Sequence, residues 1–375
     1  MSAHPNGIPP SSQAPTHDIE LPPDGAEERV PSAFPTVFSW DYRIRHEELL
    51  RLYEKGKTLQ WNASTDIDWS IDVDPERLTQ EELEIADVIL GLPERLDLPR
   101  RRALDHHFNG WLLSQFLHGE QGALLATAQI VNTVPWTEGK FYAANQVADE
   151  ARHVEVYRRY LTEKLGVSYP VNRHLHTLLD QIISDSRWDM IYLGMQIMVE
   201  GLALAAFGLM RFTAANEPLI QQITSYVMRD EARHVAFGVL SLQDLYTKEM
   251  TSTELKEREE FVIEATMLMR DRLLMEDIWP RLGLDAKLWL PWSLHTPFMV
   301  GFRQILFSKI VPNLKRLGLL TPRVRKTFAE LQILEFESYP DSTEESETAM
   351  PPALMAFFTR MQAAGVQFPG LALTA

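Results

Sequence analysis

The chain has 375 residues, 45% hydrophobic and 23% charged, with 36 Lys and Arg against 52 Asp and Glu and a formal charge of −16. That composition belongs to a globular protein with a large core, and its acidity argues against a nucleic-acid partner, whose phosphates call for clustered basic side chains. The absence of cysteine from these residues excludes disulfides, thiolate-held metals, iron–sulfur clusters and Cys nucleophiles, leaving imidazole and carboxylate as the strong metal ligands.

Residues 1–35 hold eight of the 23 prolines and few large apolar residues, so they are expected to form a disordered leader. They show no basic stretch followed by an apolar run, so no secretory signal is expected and cytoplasmic residence is the default. Residues 36–335 carry a helical pattern nearly throughout, broken at Pro or Gly, with no alternating β-branched runs, and predict an all-α domain. Helices are expected at about 81–91, 110–132, 137–166, 174–184, 187–214, 217–248, 253–278, 295–317 and 323–335. Met190 to Met210 has only Gln196 and Glu200 as strongly polar residues, so it is apolar enough to span a membrane. A Glu at mid-span opposes that, and a helix apolar on all sides is also what the middle of a large bundle needs, so no membrane span is expected. Residues 336–352 are acidic and turn-rich and predict a linker; residues 353–375 predict a tail with a short helix.

The chemistry lies in a pentapeptide, Asp-Glu-Ala-Arg-His, which occurs at Asp149–His153 and again at Asp230–His234, each inside a predicted long helix. Glu150 and His153 stand three residues apart, as do Glu231 and His234, so in each pair carboxylate and imidazole leave one helix face together. Glu120 precedes Glu150 by 30 residues and Glu200 precedes Glu231 by 31, each in the preceding apolar helix. The chain thus contains two copies of a helix pair that supply four Glu and two His. Burying those six groups alone would cost several kcal/mol per ion, and two cations remove the cost; with hard oxygen and imidazole donors, iron or manganese suits best.

These residues resemble the ferritin-like di-iron carboxylate superfamily, a four-helix bundle with one Glu from each of two helices and Glu-x-x-His from each of the others. The resemblance spans about residues 105–245. It implies that Glu120, Glu150 and His153 hold one iron and Glu200, Glu231 and His234 the other, with Glu150 and Glu231 bridging. The Asp-Glu-x-Arg-His form looks most like hydroxylase subunits of bacterial multicomponent monooxygenases, which implies that Asp149 orients His234 and Asp230 orients His153. Against these residues stands a plainer role for each Asp, an ion pair with Arg152 or Arg233. The chain departs from arylamine N-oxygenases of the superfamily at Val227, where they carry a further His, and from the multicomponent hydroxylases at Leu204, where they carry Thr. Tyr157 occupies the place of the radical tyrosine in ribonucleotide reductase small subunits, or is a core tyrosine.

The resemblance implies a di-iron oxygenase, with manganese–iron as the other filling, O2 as co-substrate and two electrons from outside. No nucleotide-binding loop is present, so a separate reductase or ferredoxin is the expected donor, and Lys315, Arg316, Arg323, Arg325 and Lys326 are the best basic residues to receive an acidic one. Homodimerisation is compatible with this reading. Helical spacing puts Phe116, Ala123 and Thr127 on the side of Glu120, and Gln196 and Leu204 on the side of Glu200, predicting a mostly apolar pocket for a small organic or acyl substrate. The competing functions are a radical-generating subunit and a ferroxidase or iron-storage protein.

Overall fold

The computed structural model describes residues 27–74, 78–213, 217–344, 355–357 and 359. The described residues contain helices and no strand. Helix α1 is Glu47–Thr58, α2 Gln80–Leu90, α3 Leu98–Thr133 and α4 Thr137–Arg159, which continues as a π-helical turn over Tyr160–Leu165. After α5 (Arg173–Ser184), a second long rod runs as α6 (Trp188–Tyr192), a π-helical stretch Leu193–Val199 and α7 (Glu200–Thr213). Then come α8 (Pro218–Asp244), α9 (Ser252–Asp271), α10 (Ile278–Arg281), α11 (Ala286–His295), α12 (Pro297–Leu306), α13 (Ile310–Arg316) and α14 (Pro322–Glu330).

Local chemistry sets the starts and stops. Thr79 with Glu82 and Thr251 with Glu254 form capping boxes at the heads of α2 and α9, and Asp97 accepts from Arg100 N–H with Pro99 just inside α3. Gly166 in the left-handed region, φ 68°, closes the turn that ends α4. His46 gives α1 no side-chain cap. Its place is taken by Glu138 from α4, which accepts from the backbone N–H of both Arg45 and His46.

The core is two antiparallel hairpins, α3 against α4 and α7 against α8, with α4 also touching α8. The expected single helix at 295–317 is three pieces of chain: α12 starts at Pro297, and a turn over Phe307–Lys309 separates it from α13, which holds Pro312 near its start. Helix α1, outside the expected set, packs across α4 and α8. The span Trp188–Arg211 is long and apolar enough to cross a membrane, but 89% of its most apolar window is buried inside the bundle.

Of the expected leader, residues 27–35 carry no helix, and residues 1–26 lie outside the described residues. The expected acidic linker begins with packed chain. Phe336 is buried, Arg316 pairs with Asp341 at 3.0 Å, and Asn313 exchanges hydrogen bonds with Ser342. Residues 345–354 lie outside the described residues, as does most of the expected tail; Phe357 is described and buries its ring near Phe298, 6.4 Å between centroids. The basic run is largely matched within the chain: Lys315 bonds Glu337 O, Arg323 faces Glu259 and Glu260, and Arg325 pairs with Glu337.

Candidate metal centre

The two hairpins bring Glu120 (α3), Glu150 and His153 (α4), Glu200 (the first residue of α7) and Glu231 and His234 (α8) together at the middle of the bundle, all buried. His153 Nδ1 lies 3.1 Å from Glu120 Oε2, 3.4 Å from Glu150 Oε2 and 3.1 Å from Glu231 Oε1. His234 Nδ1 lies 3.1 Å from Glu150 Oε1 and 3.6 Å from Glu231 Oε1. Donor atoms of Glu120, Glu150, His153 and Glu231 fall within 4.8 Å of one another, as do those of Glu150, Glu200 and His234, so Glu150 belongs to both sets. Glu231 reaches both imidazoles.

The outer nitrogens of the two imidazoles are held crosswise. His234 Nε2 is 3.2 Å from Asp149 Oδ2, and His153 Nε2 is 3.3 Å from Asp230 Oδ2. Each Asp also accepts from the Arg three residues on, Arg152 or Arg233, so bond to imidazole and local ion pair coexist. This crossed bonding presents Nδ1 of each ring to the carboxylates, the arrangement in which an outer carboxylate fixes the tautomer of a metal-bound His.

Two partners lay outside the expected set. Trp61, on the stretch after α1, donates its indole N–H to Asp230 Oδ2 at 2.7 Å, and its ring stacks on Tyr226 at 4.9 Å. No periodicity marks it, because it precedes its partner by 169 residues and sits outside any helix. Gln146 Nε2 donates to Glu150 Oε1 at 2.9 Å and to Glu200 Oε1 at 3.0 Å. Its place four residues before Glu150 was the readable signal.

The cluster sets four carboxyls against two imidazoles. Burial first, then the charge of Glu231, pushes the Glu120 and Glu200 carboxyls well above the usual range. Burial alone would also raise Glu150, but His234 and His153 together hold it below that range. The same carboxylates, Glu120 foremost for His153 and Glu150 for His234, outweigh burial and keep both imidazoles protonated above their ordinary pKa. Even so, Glu150 Oε2, Glu200 Oε2, both Glu231 oxygens and His234 Nδ1 are buried without a hydrogen-bond partner. Buried polar atoms left so are costly, and here they converge on one place. The donor set, oxygen and imidazole without sulfur, fits two ions of the iron or manganese kind.

Tyr157 is fully buried one turn beyond His153, its ring 5.9 Å from Phe207 and 6.0 Å from Phe116, and its hydroxyl has no partner. Burial and the nearby Glu120 charge raise its pKa. The matching position in the second repeat is Gly238, where a Cβ would come within 2.7 Å of Gln196 Cβ, so α8 and the π-helical stretch touch too closely for any side chain.

A cavity of about 20 Å³ adjoins the cluster and is lined by Glu120, Glu200 and Glu231 together with Phe116, Ala123 and neighbours. Thr127, Gln196 and Leu204 do not line it. Gln196 instead donates to Thr127 Oγ1 at 3.3 Å in the packed interior.

No family model and no curated protein matches the sequence. Among solved structures, the R2-like ligand-binding oxidase with aerobically reconstituted Mn/Fe cofactor aligns at TM-score 0.42 and 17% identity, covering 84% of this chain and 91% of that one. A variant of that oxidase with the same cofactor aligns at TM-score 0.46 and 19% identity, covering 73% and 93%. A further variant, reconstituted anaerobically, aligns at 0.45 and 20%, covering 72% and 92%. In this chain α3 and α7 each give one Glu and α4 and α8 each give Glu-x-x-His to one cluster inside an all-helical bundle.

Proposed function

We propose that the protein is an O2-dependent oxidase or oxygenase that uses two iron ions, or one manganese and one iron, to oxidise a small, mostly apolar organic or acyl substrate. The observation that supports this most is the convergence of unpartnered buried carboxylate and imidazole atoms, each imidazole backed by an Asp from the opposite repeat. Glu120 and His153 would hold one ion, Glu200 and His234 the other, with Glu150 and Glu231 between them. Bound there, the metals supply the reduction of O2. The chain's part is positioning and exclusion. Asp149 and Asp230 keep Nδ1 of each His free to ligate, Gln146 ties Glu150 to Glu200, and Phe116, Tyr157 and Phe207 keep bulk water away. Two electrons come from a separate reductase or ferredoxin. The buried, unpartnered Tyr157 hydroxyl near Glu120 favours one second reading, a radical-generating subunit.

Reconstitution with ferrous or mixed ferrous and manganous ions without oxygen, then metal analysis, is expected to give about two ions per chain. Oxygen uptake on mixing should then be stoichiometric with the dimetal site. Uptake that continues through many irons per chain would make it an iron-storage protein instead. A stable tyrosyl electron-paramagnetic signal that is lost in Tyr157→Phe would establish the second reading over the first.

A further inference from the structure

Arg272 is the first residue of the 3-10 turn after α9 and is 4% exposed. It lines the cavity that also touches Glu120, Glu200 and Glu231. Yet among the described residues its guanidinium makes no ion pair with any of them, and its Nε is buried without a hydrogen bond. The other buried arginines in the bundle are served: Arg233 by Asp230, Arg258 by Asp189, Arg101 by Asp87 and Arg303 by the carbonyls of Ser293 and Leu294. Burying an unpaired guanidinium is costly, and arginine cannot escape the cost by losing its proton at neutral pH. Burial does pull its pKa down, to about 10. Besides Arg272 and the three glutamates the cavity wall is Phe116, Gly119, Ala123, Val199, Leu202 and Ala203, with one further polar residue, Gln115, whose amide already bonds Pro170 O and Asn172 N–H. At Gly119 an added Cβ would meet nothing within 4 Å.

We infer that Arg272 is the anchor for the carboxylate of an organic acid whose apolar portion lies along Phe116, Gly119 and Ala123 with its oxidisable carbon toward Glu120 and Glu200. A guanidinium takes a carboxylate through two parallel N–H···O bonds, so an acid supplies what Arg272 lacks, and the mostly apolar wall accepts hydrocarbon. A cavity of about 20 Å³ holds one water, so the acid enters by displacing side chains such as Phe116 and Leu202. The role of this acid as substrate rests on the dimetal oxidase reading; its binding does not.

The full chain, metal-free and iron-reconstituted, is titrated calorimetrically with octanoate, octan-1-ol and inorganic phosphate. Octanoate is expected to bind at least tenfold more tightly than octanol, and phosphate not measurably. Arg272→Met should weaken octanoate at least tenfold while leaving octanol within about twofold, and Arg272→Lys should recover part of the loss. Gly119→Leu, which fills the wall without touching the guanidinium, should weaken octanoate and octanol alike, with an unchanged circular-dichroism spectrum. Equal binding of octanoate and octanol, tight binding of phosphate, unchanged octanoate affinity in Arg272→Met, or full retention in Gly119→Leu would each overturn the assignment. Metal analysis of the same samples separates the two claims. Two ions bound with no Arg272-dependent octanoate binding removes the acid site alone; Arg272-dependent octanoate binding in a protein that takes up no metal on reconstitution removes the oxidase reading alone.

Discussion

Filling the centre with metal should expel protons, and the structure names the side chains that give them up. In the metal-free protein, His153 and His234 are held above the imidazole range by their carboxylate neighbours, while Glu120 and Glu200 are held above the carboxylate range by burial and by Glu231. Ligation requires neutral imidazole and ionised carboxylate, so loading should release protons from this group of side chains. Calorimetric titration with manganous ion in buffers of different ionisation enthalpy reads their number as the slope of apparent heat against buffer enthalpy. Glu200→Gln, which keeps the acceptor for Gln146 but has no proton to lose, should lower the slope by about one. The same shifts fix the sign of the pH dependence. All four folded values lie above their unfolded values of 4.5 for Glu and 6.5 for His, so the metal-free fold loses stability as pH rises from those values through the folded ones. Each titrating proton contributes about 1.4 kcal/mol per pH unit. For a chain of 375 residues that is about 2 °C in Tm. The metal-free protein should therefore melt lower at pH 8.5 than at pH 6.5, while the gap between metal-free and loaded forms widens with pH. A slope below one proton, or a metal-free protein more stable at the higher pH, would refute the proton-filled cluster.

The remaining predictions concern packing and support of the site. Gly119→Ala meets open space within a helix and should raise stability by about 1 kcal/mol in urea denaturation, whereas Gly238→Ala, pressed against Gln196 Cβ at 2.7 Å, should lower it by roughly 1–3 kcal/mol. Trp61→Phe removes the indole bond to Asp230 and is expected to weaken metal binding by about 10–100-fold in chelator competition, with helix content unchanged. Arg258→Leu strips Asp189 of its buried partner, leaving it bonded to Tyr246 alone, and should cost about 3–5 kcal/mol, read from the shift in denaturation midpoint.

The ligand set was legible because a helix turns separation in sequence into direction in space: Glu150 with His153 and Glu231 with His234 share a face wherever the bundle goes. Glu120 and Glu200 were legible as lone charges in apolar helices, which only a buried counter-charge tolerates. Trp61 was not, since it reaches the site from a segment with no periodicity; Arg272 was not, since it lies in an expected helix, 253–278, with no motif linking it to the glutamates. The direction of Gln196 was not legible for a different reason: counting residues assumes a constant number per turn, and the stretch Leu193–Val199 does not keep it. The break between α12 and α13 followed from Pro297 and Pro312, both visible in the sequence, but the apolar pattern runs through them.

The unequal partners of the two repeats, Tyr157 in one and Gly238 in the other, give a duplicated motif a front and a back. Tyr157 stands one turn beyond His153, while Tyr142 faces His234 at 6.5 Å between ring centroids and Gly238 lets α8 close against Gln196; the cavity touches Glu120 and Glu200 alike. Two identical donor sets would leave a pair of different metals free to settle in either order. Here the aromatic and backbone surroundings of the two imidazoles differ, so a mixed pair of metals bound there would have a preferred orientation.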